Sequence, residues 1–135
     1  MNAKVDISQL LLEKTTATGT FTAKDENGNE VFSADSVVFH KSGDDFSFFG
    51  TRTSGAVQEY IALGISKVPE DGKYSKTAEE HPIKWAARIT ENYSPAESGK
   101  LNVEFSDNRQ QAQGNYKMRL ENGKTLKGEF DIKNS

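Results

Sequence analysis

The chain contains no cysteine, only two histidines and only three prolines among its 135 residues. Without cysteine it has no disulfide, no thiolate nucleophile and no cysteine-ligated zinc site. Long apolar runs are also missing, whereas a membrane-spanning helix needs roughly 20 consecutive apolar residues. The first six residues carry charge but no apolar run behind it. We therefore expect neither a secretory signal nor a membrane span, and we predict a cytoplasmic location.

An excess of positive charge is missing as well, because 17 basic residues are set against 20 acidic ones and the net charge is −3. This balance argues against nucleic acid and anionic membranes as partners. Apolar residues make up 34% of the chain, and eight phenylalanines supply most of the aromatic rings. That content suits a thin β structure, in which each sheet has one solvent-exposed face, better than a large α/β enzyme. The length predicts a single domain over residues 1–135.

Alternation of apolar and polar residues is strongest near the end of the chain, where it predicts a β-hairpin around Asn122-Gly123. A two-residue loop would place Arg119 opposite Leu126 and so bring a charge into the core. A three-residue loop over residues 121–123, with Gly123 at positive φ in a bulge, moves the register by one residue. The predicted pairs are then Met118 with Leu126, Tyr116 with Gly128, and Gly114 with Phe130.

A second hairpin is predicted around Asn27-Gly28. Here a two-residue type I′ turn matches the faces, because it sets Ala23 opposite Phe32 and Thr22 opposite Ser33. The two Asn-Gly turns are therefore expected to differ in geometry. Asp25, Asn27 and Asn29 also have the spacing of the first calcium ligands of an EF-hand, but the flanking residues are strand-like and the later bidentate acid is absent. An ordinary turn is the preferred interpretation.

The segments between the hairpins indicate further strands. They are predicted at residues 32–39, at 46–49 ending at Gly50, at 57–68, at 83–91 and at 101–105, with turns at 51–55 and 106–110 and a loop at 92–98. Residues 5–14 are too short a run to distinguish a strand from a helix, and a strand is favoured. About eight hairpin-connected strands without a helix predict an all-β fold, either an antiparallel β-sandwich or a flattened β-barrel.

The longest segment without a strand signal covers residues 69–82, and loops of this length are often functional. It contains Glu79-Glu80-His81, the most catalytic-looking triplet of the chain, but a solvated charged loop is the preferred interpretation. Gly72-Lys73-Tyr74 inside the segment is compatible with a short edge strand. No nucleophile elbow, phosphate loop or metal-binding motif is present. We therefore assign no catalytic, metal-binding or cofactor-binding residue and expect no cofactor.

Aromatic side chains are the remaining indication of a binding site. Trp85 lies on an alternating strand, where a core position is more common than an exposed platform. Tyr74 and Tyr93 lie in or beside loops, where an exposed ring can anchor a partner. Together with His81 these are the candidate contacts for a ligand or partner.

Two resemblances rest on recurring Gly-x-aromatic and Gly-x-Leu units. Gly99-Lys100-Leu101, Gly114-Asn115-Tyr116 and Gly128-Glu129-Phe130 give residues 99–132 a form that resembles small uncharacterised bacterial all-β proteins. That resemblance implies a fold and no activity. Gly19-Thr20-Phe21 is similar to the Gly-x-Trp motif of lipocalins, although phenylalanine replaces the tryptophan and the later arginine signature is absent. The lipocalin likeness implies a barrel that binds an apolar ligand.

We rank three functional hypotheses. The first is a non-enzymatic binding or protein-interaction module that contacts a protein partner or self-associates through a sheet edge. The second is a binder of a small apolar ligand inside a lipocalin-like barrel, and the third is a hydrolase that uses the 69–82 loop.

Overall fold

The computed structural model describes residues 17–54, 57–78, 84–89 and 92–134 of the chain. In these residues the fold is all-β and antiparallel. The strands are β1 (Thr18–Lys24), β2 (Glu30–Ser33), β3 (Ser36–Ser42), β4 (Asp45–Ser54), β5 (Val57–Ile65), β6 (Gly72–Thr77), β7 (Ala86–Ile89), β8 (Asn92–Ser106), β9 (Gln111–Leu120) and β10 (Thr125–Lys133). The segments 1–16 and 79–83 lie outside the described residues, so the predicted strand at 5–14 and the Glu79-Glu80-His81 triplet do as well.

The strands form one sheet in the order β2-β1-β10-β9-β8-β7-β5-β4-β3. Its longest strand, β8, pairs with β9 along one edge and with both β7 and β6 along the other. The sheet curls into a half-barrel, since β1 also contacts β3 and β4 from the far end of the order. Such curling follows from the right-handed twist of strands, which accumulates across a sheet of this width.

The inward face of the half-barrel is packed with aromatic rings. Seven of the eight phenylalanines belong to this core, and neighbouring rings such as Phe46 and Phe105 have centroids 4.7 Å apart. On the other face of the β3–β4–β5–β7 region, an apolar row that runs in register is also buried: Val38, Phe49, Ala62 and Ala86. β5 therefore has buried apolar side chains on both of its faces.

The terminal hairpin has the predicted register. Met118 pairs with Leu126, Tyr116 with Gly128 and Gly114 with Phe130. Gly123 has a φ of 92°, and the amide of Leu120 donates to the carbonyl of Lys124 at 2.8 Å, which closes a three-residue loop. The pairing of apolar faces therefore determined the turn type correctly.

The first hairpin has the predicted pairs but a different turn. Ala23 pairs with Phe32 as expected, but the register then shifts by one residue and Lys24 pairs with Glu30. The loop consists of three residues, 26–28, and a bulge at Val31 restores the faces. The prediction of a type I′ turn was wrong because the Asp25 carboxylate accepts the amide hydrogens of Asn27 and Asn29 at 2.9 and 3.0 Å. This side-chain capping favours the three-residue loop.

Other strand limits also differ from the prediction. The described residues form ten strands, whereas about eight were predicted for the chain. The strand predicted at 32–39 bends at Ala34-Asp35, and β4 continues past Gly50 to Ser54. Residues 92–98, predicted as a loop, form the first half of β8, with a bulge between Ala96 and Ser98. Residues 92–95 pair with β7, and Ala96 and Ser98 pair with β9, so strand pairing outweighs the loop-like composition of this segment.

One end of the half-barrel is closed by Arg109. Its guanidinium donates to the Asp44 carboxylate and to the Val68 carbonyl, both at 2.9 Å. The turn that carries it has three residues in succession at positive φ, 107–109. The Asp71 carboxylate accepts the amide hydrogens of Asn108 and Arg109 and so stabilises this turn. The other end of the half-barrel is the more open one.

A pocket at the open end

Three parts of the chain meet at the open end of the half-barrel: the β1–β2 loop, the β9–β10 loop, and the paired ends of β7 and β8 at Ile89 and Asn92. Between them lies a pocket of about 230 Å³. Its floor is formed by apolar side chains at the ends of the inward-facing rows: Val31, Ala87, Ile89, Leu120 and Leu126. The aromatic core fills the middle of the interior, and this pocket lies beyond it at the end of the strands.

The pocket rim is polar and belongs to the loops. It consists of Asp25, Glu26, Asn27, Asn92, Asn122 and Lys124. The Asn122 side-chain oxygen accepts the amide hydrogen of Lys124 at 2.9 Å, and the Asn122 amide donates to the Ser94 hydroxyl at 3.1 Å. Together with the capping by Asp25, these bonds hold the rim loops in one geometry before any ligand arrives.

An ion pair between the half-buried Arg52 and the buried Glu59 lies at the same end and supports the floor. Arg52 donates to the Glu59 carboxylate from Nε at 2.7 Å, and Glu59 is only 2% exposed. The Arg52 guanidinium also lies over the Phe32 ring, 5.2 Å from its centroid, and donates to the Val31 carbonyl at 3.3 Å. Arg52 therefore connects the bulge at Val31 on β2 to strands β4 and β5 on the other side of the half-barrel. The planar guanidinium has several donors in a fixed arrangement, so Arg52 can bond to Glu59 and to the Val31 carbonyl at the same time.

Two of the aromatic residues proposed from the sequence have structural roles. Trp85 is 1% exposed, and its indole nitrogen donates to the Gly64 carbonyl at 2.8 Å. Tyr74 lies on β6, packs edge-on against Phe105 with centroids 5.9 Å apart, and donates its hydroxyl to the Glu70 carbonyl at 2.7 Å. Since β6 is a short strand at an edge of the sheet, that part of the prediction for residues 69–82 is confirmed.

Tyr93 is the candidate that the structure leaves exposed, at 54%. It pairs with Arg88 across the β7–β8 ladder, and Arg88 pairs with Tyr60 on β5. Burial and the nearby Tyr93 raise the pKa of the Tyr60 phenol, while Arg88 lowers it. Tyr74 pairs with Val103, ten residues along β8 from Tyr93, so these two rings do not lie together. The fourth candidate contact, His81, lies outside the described residues.

The described residues contain neither a metal site nor a membrane-spanning helix. Among them, no group of three or more histidine, cysteine, aspartate or glutamate side chains is arranged to hold a metal ion. That part of the chain also contains no helix suited to crossing a membrane. Comparisons with family models, curated proteins and solved structures found no match. The sequence does not predict the pocket floor, because each floor residue also fits an ordinary strand position.

Proposed function

We propose that the protein is a non-enzymatic binding module that takes a small molecule into the pocket at its open end. The observation that carries this proposal is the combination of an apolar floor with a polar rim whose loops are already held by hydrogen bonds. Ligand sites commonly have this construction, and the mouths of β-barrels are among their usual places. We further propose that the curled sheet is a flattened barrel rather than a sandwich, since a single strand order leads from β2 to β3 and β1 contacts β3.

The size of the pocket defines the class of ligand. An apolar cavity of about 150 Å³ is large enough to hold benzene. The pocket volume of about 230 Å³ therefore suits one aromatic ring with a short polar substituent. The ring would pack on Val31, Ile89 and Leu126, and the substituent would reach the amide and charged groups of the rim. Asp25 already accepts two backbone amide hydrogens, which favours a positioning role over acid–base chemistry.

Benzyl alcohol is a suitable probe, with binding followed by ¹H–¹⁵N NMR. We expect saturable shifts at Ala87, Ile89, Leu120 and Leu126, with a Kd of about 1 mM because so small a ligand has few contacts. Val31→Phe places a ring in the pocket, and we expect it to abolish these shifts while the spectrum stays dispersed. Gln113→Phe adds the same ring at an exposed position of β9 and is expected to leave binding unchanged. Shifts that persist in Val31→Phe, or that do not saturate in the unmodified protein, would refute the proposal.

A second candidate function is self-association, and the exposed Tyr93 beside Arg88 favours it. Tyrosine and arginine are the residue types that most often dominate protein interfaces. We expect a concentration-dependent dimer in sedimentation equilibrium at up to about 1 mM, where an interface worth about −4 kcal/mol is populated. Tyr93→Ser is expected to weaken this dimer at least about ten-fold, and Gln113→Ser to leave it unchanged. A strict monomer over the whole range would exclude self-association through this surface.

A further inference from the structure

A row of four lysines crosses the outer face of the sheet. Lys24 on β1 pairs with Lys127 on β10, Lys127 pairs with Lys117 on β9, and Lys117 pairs with Lys100 on β8. All four side chains are exposed. Directly paired residues share a face, so the four ammonium groups form a line perpendicular to the strands. We call this line the lysine row.

The lysine row is unusual for a chain that is acidic overall. Like charges directly opposite each other in a sheet are destabilising, and the chain has 20 acidic residues from which partners could come. Within the described ranges, none of the four lysines forms an ion pair, whereas Arg52, Arg109 and Arg119 each do. An anion that binds across the row would remove this repulsion, which is the physical reason to regard the row as a binding surface.

The lysine row lies along a shallow groove of about 590 Å³. The adjacent register row also contributes to the groove and supplies hydrogen-bonding groups, namely Thr22, Glu129, Asn115 and Asn102. The Asn102 amide donates to Asn115 at 3.3 Å and accepts the Ser75 hydroxyl at 2.9 Å. The groove thus has a line of four ammonium groups beside a second line of hydrogen-bonding groups. The second line consists of one hydroxyl, two amides and the Glu129 carboxylate.

The shape and chemistry of the groove select among anionic partners. Neighbouring strands are about 4.8 Å apart, so the row is about 14 Å long and has one ammonium group on each strand. A concave groove fits a linear polymer better than a flat membrane. Single-stranded nucleic acid usually stacks its bases on exposed aromatic rings, whereas the one aromatic residue of the groove, Tyr116, is only 3% exposed. A chain of acidic sugars instead presents carboxylates at close intervals and hydroxyls between them.

We propose that the lysine row, with Asn102 and Asn115 beside it, binds a linear acidic polysaccharide lying across strands β1, β10, β9 and β8. The carboxylates pair with the four ammonium groups, and the sugar hydroxyls exchange hydrogen bonds with the two amides. This surface lies on the outer face of the sheet, so it is separate from the pocket at the open end and does not depend on it.

The test measures binding of an oligogalacturonate of about six sugars, long enough to cover the roughly 14 Å row, by calorimetry. We expect saturable binding that weakens steeply between about 50 and about 200 mM salt, because counterions are released from charged contacts. Lys117→Gln/Lys127→Gln should reduce the affinity at least about ten-fold, since it removes the two central charges. Lys41→Gln/Lys133→Gln makes the same change of net charge at exposed positions outside the groove and should leave the affinity within about two-fold.

Thermal unfolding of each variant provides the check on folding. The central double variant should be at least as stable as the unmodified protein, because a repulsion is relieved. The proposal is overturned if the oligomer does not bind, if both double variants lose affinity equally, or if a poly-dT oligonucleotide or phosphatidylserine vesicles bind more tightly than the oligogalacturonate. Equal binding of the fully methyl-esterified oligomer would also overturn it, because that ligand has no carboxylates.

Discussion

Gly128→Ala is expected to destabilise the protein by about 3 kcal/mol or more, at the upper end of the cost of overpacking. A β-carbon at this position would lie 1.8 Å from the Thr22 carbonyl oxygen of β1 and 2.7 Å from the Tyr116 hydroxyl. The first of these atoms belongs to the backbone of a paired strand, so relief requires β1 to move away from β10. Chemical denaturation followed by tryptophan fluorescence measures the free energy of unfolding.

The close approach of β1 to Gly128 on β10 also brings the Thr22 carbonyl within reach of the Tyr116 hydroxyl. The Tyr116 side chain passes over this glycine, and its hydroxyl donates to the Thr22 carbonyl at 2.8 Å. Burial raises the pKa of the phenol well above its ordinary value, so the hydroxyl keeps its proton at neutral pH. Gly43→Ala is the control, since it has open space around the new methyl group and only a positive φ of 64° to accommodate. We expect it to cost about 1 kcal/mol; an equally small cost at Gly128 would contradict the described approach of β1 to β10.

Trp85→Ala is expected to cost about 3–5 kcal/mol, the usual range for removing a large buried aromatic side chain. The indole is 1% exposed, and it donates to the Gly64 carbonyl, just beyond Ala62, where the ladder between β5 and β7 ends. Its ring also packs close to Gly99 on β8. Trp85 thus contacts both β5 and β8 next to the start of β7. The measurement is again the free energy of unfolding, followed by circular dichroism because the variant lacks the only tryptophan.

Trp85→Phe separates the two contributions of this residue. It keeps an aromatic ring but removes the indole donor, so we expect a loss of about 1–2 kcal/mol from the hydrogen bond and the smaller ring. If Trp85→Phe were as destabilising as Trp85→Ala, the donor rather than the packing would dominate. If both variants were neutral, Trp85 would not be the core residue described here.

The parts of the fold that follow from one buried face were predictable from the sequence. In the terminal hairpin only one register keeps Arg119 out of the core, and that register is the one observed. The first hairpin shows the limit of this reasoning. Its pairs follow from the faces, but its turn depends on the Asp25 carboxylate, and a bulge at Val31 lets a different loop satisfy the same faces. Alternation alone does not reveal a bulge.

The candidate sites were less predictable because they depend on contacts between distant segments. Residues 92–98 have a loop-like composition and were therefore predicted as a loop, although they form the first half of β8. The position of Asn92 at the pocket rim was for the same reason not predicted. The lysine row brings together residues from four strands that are separated by as many as 103 positions, from Lys24 to Lys127, and it becomes visible only when the registers are known. The predicted aromatic contacts were chosen by residue type, whereas burial assigns Trp85 to the core.

The most direct test of the proposed function is a crystal structure of the protein soaked with 4-bromobenzyl alcohol, in which anomalous scattering locates the bromine. We predict a bromine peak in the pocket at the open end, in contact with Val31, Ile89 and Leu126, with the hydroxyl directed to the rim. The same soak of Val31→Phe crystals should show no peak there. A bromine site elsewhere on the protein with the pocket empty would contradict the proposal that this pocket is the ligand site.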